Sequence, residues 1–344
     1  MDAAARDAKT PPDAADAARD APPLADGFVA LPDAPGFDAG PPEPRTWAEV
    51  MPATRPPPLH SPRLAYDAAR RHVVLYGGMT GVVKSAAMWA YERGTWVPLC
   101  DPCAPGARYR HGLAYDAARE RVLLFGGTDA GGSARGDLWE WDGLSWRLVA
   151  ATGDLPSPRW GFGFAYDRVS GRALLFGGDT ERGLSDELFA LEGTTWRRLV
   201  VADAPTPRED EASNAAWSDA MGTLFVLGGR GSGAAVLDDL WALRAGAWSR
   251  ICLMCTGQPA TGRATIWDPT RGRLITAGGW TGRSTVTGTL ELEGGSFVTV
   301  DAATPADRDN CGIAHDSDRD VIVLYGGNGG CPAGDCDDTF EYRR

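Results

Sequence analysis

Arg121–Gly127 reads RVLLFGG, a short apolar strand closed by two glycines. The same phrase recurs on both sides of it. His72–Gly78 reads HVVLYGG, Arg172–Gly178 RALLFGG, Thr223–Gly229 TLFVLGG, Arg273–Gly279 RLITAGG and Asp320–Gly327 DVIVLYGG. The first glycines of the pairs are Gly77, Gly126, Gly177, Gly228, Gly278 and Gly326, so the steps are 49, 51, 51, 50 and 48 residues. A period of that length marks a repeat architecture. Each unit then needs its neighbours to bury its apolar faces, so the 344 residues are to be counted in repeats.

Around Gly126 the repeat reads as four strands. Tyr109–Asp116 is strand a, DAARER a hairpin turn and Val122–Phe125 strand b. Thr128–Gly136 is a polar, Gly-rich loop, Asp137–Trp141 strand c, Asp142-Gly143 a tight turn and Ser145–Val149 strand d. The other repeats match by position, with Trp89, Trp139, Phe189, Trp241 and Phe340 in strand c and Trp96, Trp146, Trp196, Trp248 and Phe297 in strand d. Four short antiparallel strands with tight turns are an all-β propeller blade, and the sequence holds six of them. The sixth repeat reaches strand c at Thr339–Tyr342, and the chain stops at Arg344. At the other end, TWAEV (Thr46–Val50) carries Trp47 where strand d would have it, 49 residues before Trp96. The N-terminal strand is therefore expected to complete the last blade, closing the ring and removing an open sheet edge.

A diglycine after an apolar strand, a variable loop, an aromatic strand, then X-G and Trp is similar to the Kelch repeat. The resemblance covers residues 46–344. It extends to bacterial secreted Kelch-repeat proteins with Asp/Ala/Pro-rich leaders, and it implies a six-bladed Kelch propeller. It implies little about function, because propellers host many unrelated ones.

Residues 1–45 are a different material: thirteen Ala, nine Pro and eight Asp, with few larger apolar residues and no period. They are expected to form a disordered linker ahead of a propeller over 46–344. Met1 runs into DAAARDAK with neither a basic start nor an apolar stretch. The expectation is that a natural signal sequence has been trimmed away, and that the linker tethers a secreted, lipoprotein-like domain to an envelope. The predicted location is extracellular, periplasmic or the outer cell surface. Net charge is −12 and the pI about 4.8, which argues against nucleic acid and anionic membrane surfaces. No apolar run is long enough for a transmembrane segment. Six of the seven cysteines sit as close pairs: Cys100 with Cys103, Cys252 with Cys255, and Cys331 with Cys336. Each pair is expected to close its own disulfide and stiffen its loop, since the first two follow strand d of opposed blades and stand too far apart for one zinc site. Cys311 could also pair with Cys331 or Cys336.

The d–a and b–c loops share one face of such a blade and differ from repeat to repeat, so a ligand is expected there. The d–a loops carry Arg63, Arg108, Arg110, Arg159, Arg208, Arg263 and Arg308. An arginine at a repeated position can bond backbone carbonyls between blades; alternatively a ring of guanidinium groups surrounds the channel mouth, suited to carboxylate or sulfate. In Kelch adaptors arginines at similar positions contact acidic peptides, and Arg110, Arg159, Arg263 and Arg308 match best. Arg208-Glu209-Asp210-Glu211 and Asp309 make the rim mixed in charge. Trp160 and Trp280 could stack a sugar or peptide there, or pack between loops. With His111 these residues form the candidate ligand set. His60, His111 and Cys311 at the mouth, assisted by Asp210 or Asp309, are the metal alternative, though a lone His or Cys at a strand start usually serves packing. No cofactor is predicted. Asp316, Asp318 and Asp320 resemble a calcium loop but lack the following Gly and Glu, and read as a turn. The Gly-rich Gly126–Gly136 stretch precedes a strand rather than a helix, so it is no phosphate loop. The Tyr and His ligands of Kelch copper oxidases have no match. The favoured reading is a monomeric, non-enzymatic binding module for a protein, peptide or glycan; the alternative is a propeller enzyme, oxidase- or epimerase-like, acting on a sugar or peptide.

Overall fold

The computed structural model describes residues 45–212, 214–301, 307–332 and 334–344. Among them the regular structure is all β, apart from one 3₁₀ turn at Ser232–Ala234. Repeat 2 forms an antiparallel sheet in the order d-c-b-a from Gly112–Asp116, Arg121–Phe125, Leu138–Trp141 and Trp146–Val149. Strand a is shorter than the sequence suggests because its first residues leave the sheet: Tyr109 pairs instead with Thr128 of the b–c loop. Strand a of the remaining repeats is Arg63–Asp67, Gly163–Asp167, Ala215–Ser218, Ala264–Asp268 and Gly312–Asp316. Each lies at one edge of its own sheet. The a strands contact one another in chain order, and strand a of repeat 6 contacts that of repeat 1. This layout fits a β-propeller, with the repeats as its units.

Burial explains why the repeats cannot stand alone. Strand b is apolar on both faces, and in repeat 1 Val73, Val74, Leu75 and Tyr76 are all fully buried. Each apolar cluster is shared by two successive sheets. Leu123, Phe125, Phe162 and Trp196 join repeats 2 and 3, while Leu64, Tyr66, Trp96, Val323 and Tyr325 join repeats 1 and 6.

Thr46–Val50 pairs antiparallel with Thr339–Arg343 and completes a four-stranded sheet with Val321–Tyr325 and Gly312–Asp316. Trp47 Nε1 donates to Thr289 Oγ1 of the preceding repeat at 2.7 Å, as Trp96 Nε1 donates to Thr339 Oγ1 at 2.9 Å. The strand thus makes the contacts of a strand d. The linker expected over residues 1–45 lies outside the described residues except for Arg45. That side chain is buried and pairs with Asp268 at 3.2 Å and Asp320 at 2.7 Å, so it belongs with the fold.

Candidate functional site

The diglycines are where the repeats clasp one another. Gly126 and Gly127 take φ of 63° and 82°, a region that favours glycine. Gly127 N–H donates to the Arg159 carbonyl of the next repeat at 2.8 Å, and a Cβ on Gly126 would stand 2.8 Å from that same oxygen. Gly78, Gly178 and Gly279 donate likewise to the carbonyls of Arg108, Arg208 and Arg308, and Gly327 donates to Leu59 of repeat 1. The guanidinium groups turn back into their own repeats. Arg159 Nη1 donates to the Gly177 carbonyl and Nη2 to Glu187; Arg208 donates to the Gly228 carbonyl and to both oxygens of Asp239; Arg308 pairs with Asp338 and Arg108 with Asp137. These arginines are struts.

The next residues along each d–a segment circle the mouth. Gly161 N–H donates to Arg110 O, Asp210 N–H to Gly161 O, Asn310 N–H to Gly262 O and Ser61 N–H to Asn310 O, at 2.7–3.0 Å. Between repeats 4 and 5 a side chain takes the carbonyl's part: the Asp210 carboxylate accepts from Gly262 N–H at 3.0 Å and from Thr261 Oγ1 at 3.1 Å. Repeat 4 is longer here. The arginine stands seven residues before the strand a ring in Arg108/Tyr115, Arg159/Tyr166 and Arg308/His315, but nine before it in Arg208/Trp217. The extra length carries Glu211 across the mouth, where it accepts from Tyr109 Oη at 3.1 Å and Asn310 Nδ2 at 3.2 Å. It also pairs with Arg110 and, at 3.0 Å, with Arg230. Glu209 pairs with Arg230 at 2.7 Å and with Arg110 at 3.6 Å. Residues of repeats 2, 4 and 6 therefore meet in one charged knot.

Burial separates the predicted residues into two groups. Arg159, Arg263 and Arg308 are 0–4 % exposed, so they form no ring of exposed guanidinium groups; Arg159 and Arg308 bond a carbonyl and a carboxylate, and Arg263 bonds the Gly278 and Gln258 carbonyls. His111 is fully buried beside Tyr76, and burial, aided by Arg63 and Arg108, holds its imidazole well below the usual value and therefore neutral. Arg110, Glu209 and Asp210 converge on the mouth. Burial pushes the Asp210 carboxyl up to about 6, with Glu209 adding to the shift and hydrogen bonds from Ala212 and Gly262 opposing it. Asp309, half-buried at the same rim, is pushed up to about 7 by burial, then by Asp210 and Asp335. Trp160 is half-buried and pairs by its backbone with Asp179, whereas Trp280 is 36 % exposed. The importance of Glu211 is legible only by comparing the repeats: the two added residues of repeat 4 are the signal.

His60, His111 and Cys311 do not bring three ligand atoms within 4.8 Å of one another. His60 Nδ1 meets Asp335 Oδ1 at 2.7 Å, and Cys311 is buried against Gly327. Of the groups that do converge, Asp268, His315 and Asp320 surround the Arg45 guanidinium, which fills the place of a cation.

The close cysteine pairs stand at disulfide distance. Cys100 and Cys103 have S–S of 2.00 Å, Cys252 and Cys255 2.09 Å, and Cys331 and Cys336 2.04 Å, while Cys311 stays unpaired. Stiffening a loop is too narrow a role for the first of them. Cys103 is buried in the apolar cluster that repeats 1 and 2 share, with Tyr76, Leu113 and Trp146, and its N–H donates to Ala86 O at 3.0 Å. It therefore anchors its d–a loop in the core and presents nothing to a ligand. Cys255 and Cys336 are buried in the same way, because the second sulfur of each short loop turns inward. Below the mouth, all six a strands line a cavity of about 240 Å³ whose far end is bounded by Arg168, Asp219 and Pro269 of the a–b hairpins.

Residues 138–293 match the family model described as the KLHDC2/KLHL20/DRC7 Kelch-repeats domain. The match runs from strand c of repeat 2 to strand c of repeat 5 and so includes the Glu209–Glu211 segment. No curated protein matches the chain. No helix among the described residues is long and apolar enough to cross a membrane.

Proposed function

We propose that this Kelch-repeat protein is a non-enzymatic binding module that takes a protein or peptide on its d–a/b–c face. The placement of exposed apolar side chains carries the reading. Val82, Val83, Leu155, Leu253, Met254 and Trp280 all stand on loops of that face, whereas the opposite hairpins expose Leu144 and Val169. Apolar tips around a charged centre are the anatomy of an interface. Leu253 and Met254 lie inside the Cys252–Cys255 loop, which lowers the entropy lost when they are ordered by a partner. Trp160 and Trp280 extend the reading to a glycan.

The same proposal takes the six sheets as six blades of a ring closed by Thr46–Val50, monomeric and needing no cofactor to bind. It places the protein in an extracellular, periplasmic or outer-surface compartment, tethered through residues 1–45. The three close cysteine pairs support the oxidising compartment. A second reading, an enzyme acting on a sugar or peptide, rests on Asp309, whose raised carboxyl could shuttle a proton near neutral pH.

Displayed peptides selected on the intact protein test the first reading. Selected binders should lose affinity about tenfold or more with Trp280→Asp or Met254→Asp, as expected for interface anchors, and keep it with Leu144→Asp and Val169→Asp. Binders that respond only to the second pair would overturn it. Turnover of a glycoside or peptide library, abolished by Asp309→Asn, would establish the enzyme instead.

A further inference from the structure

Repeat 3 carries a groove on the d–a/b–c face with two pinned walls. The segment entering the repeat adds a fifth strand to its sheet: Thr152–Gly153 pairs parallel with Thr195 and Trp196 of strand d. Asp154 N–H donates to the Trp196 carbonyl at 2.9 Å, and the Asp154 carboxylate accepts from Arg198 N–H at 3.1 Å. Opposite stands the b–c hairpin, in which Asp179–Thr180 pairs with Gly183–Leu184 and with Arg159–Trp160. The groove between them has a volume of about 520 Å³, the size of a ligand cleft. Leu155, Pro158, Leu184 and Phe189 make its walls apolar, and Leu155 is 58 % exposed. Polar groups on the floor already have partners. Arg159 Nη2 donates to Ser157 Oγ at 3.0 Å and to Glu187 Oε2 at 2.8 Å, and the other Glu187 oxygen meets Arg198 at 3.3 Å. The rim differs: Glu181 and Asp186 are exposed and form no ion pair among the described residues. Apart from Glu187, the one other charged side chain on the lining is Arg182.

We propose that this groove takes a basic segment of the partner, an extended peptide that sets a Lys or Arg beside an aliphatic side chain. The inference rests on the reading of this face as a peptide-binding surface and names the chemistry of one contact on it. The sign of the charge follows from the direction of the strut. Arg159 turns inward and is fully buried, so the groove offers a ligand carboxylates where an outward arginine would have offered a guanidinium. Two unpaired carboxylates against one arginine leave the rim negative, on a chain whose net charge of −12 draws cations. Leu155 and Leu184, on opposite walls, can then cover the aliphatic side chain and the hydrocarbon stem of the Lys or Arg. Sheet pairing holds both walls before binding, so the ordering cost falls on the peptide alone. An acidic segment would instead meet Glu181 and Asp186 as like charges.

Random peptides displayed and selected on the whole chain at low ionic strength supply the probes. A class of binders should carry Lys or Arg next to Leu, Ile or Met and weaken as salt is added. These peptides should lose affinity about tenfold or more on the double variant Glu181→Lys/Asp186→Lys. Leu155→Ser should weaken the same peptides at every salt concentration, which separates the apolar contact from the charge. Acidic peptides that respond to Leu155→Ser would overturn the proposal, because the groove would then read the opposite sign. Binders that respond to Trp280→Asp or Met254→Asp but to neither groove variant would overturn it and leave the wider reading of the face standing. Binders that respond only to Leu144→Asp and Val169→Asp, or a selection that yields none, would overturn both.

Discussion

Arg208 reaches past its own backbone to Gly228 and grips Asp239 with two nitrogens, at 2.7 and 2.9 Å. The protein contains its own control for this pair. Arg108/Asp137, Arg159/Glu187 and Arg308/Asp338 repeat it, whereas repeat 1 has Leu59 and Ala87, and repeat 5 Ala260 and Gly288, at the corresponding positions. Both partners are absent together, as expected where a half-pair would leave a buried charge. Arg208→Met should therefore cost about 3–5 kcal/mol, while the double variant Arg208→Leu/Asp239→Ala should recover more than half of that loss in denaturant unfolding. Equal losses would assign the arginine a packing role alone. Asp309 makes the opposite kind of prediction. Its folded carboxyl titrates at about 7, above the unfolded value near 4, so the folded state binds the extra proton between those limits. Its contribution to stability is favourable at low pH and falls as pH rises through 7. Asp309→Asn should then stabilise the protein at pH 8, by roughly 1–3 kcal/mol, with the gain vanishing towards pH 4. An advantage independent of pH would show that the carboxyl is not held up as described.

At the scale of the elements, the a–b hairpins share one backbone requirement. The residue before strand b is left-handed in every repeat: Arg71, Glu120, Gly171, Gly222, Gly272 and Asp320 have φ between 54° and 67°. Three repeats meet this with glycine and three with strained side chains. Glu120→Gly should be neutral to stabilising, by up to about 1 kcal/mol, and Gly171→Ala destabilising by about 1–2 kcal/mol, read as opposite shifts of the unfolding midpoint. The strands themselves were legible in the sequence because period and apolar run both report burial, and burial is what the sheets share. Strand ends were less so, since Tyr109 is drawn out of strand a by a partner in the b–c loop. The site was legible in part. Glu209, Asp210 and Arg110 sit at the mouth as their loop position predicts. Arg159, Arg263, Arg308 and His111 do not, because a residue's place in a loop says nothing of whether its side chain turns outward or back onto its own glycine. Cys103 repeats that lesson, since its spacing from Cys100 reports the bridge but not the burial. The acids ten to twelve residues after the first glycine of the pair, present in just the repeats that carry the strut arginine, were the signal that would have told the arginines apart.

For the whole molecule the decisive element is the strand at Thr46–Val50. Each sheet shares apolar clusters with two neighbours, so one lost strand exposes more than itself. Removing it together with the residues before it would uncover the edge of Thr339–Arg343, strip Phe340 and Tyr342 of Trp47, and leave Asp268 and Asp320 without Arg45. An exposed apolar edge also invites pairing with another chain. Two truncations separate this from loss of the leader. A chain beginning at residue 45 should melt like the parent. A chain beginning at Met51 should melt lower by several degrees and self-associate, because the half-buried Trp47 ring alone contributes roughly 1–2 kcal/mol of apolar burial, before the lost strand pairing and ion pairs are counted. Adding the peptide spanning residues 45–51 should restore the midpoint, as an added strand does on an open sheet edge, and Trp47→Ala in that peptide should abolish the rescue. If the shorter chain instead melts with the parent and stays monomeric, the strand is a bystander and repeats 6 and 1 are held together by the shared apolar cluster and the Gly327–Leu59 clasp alone.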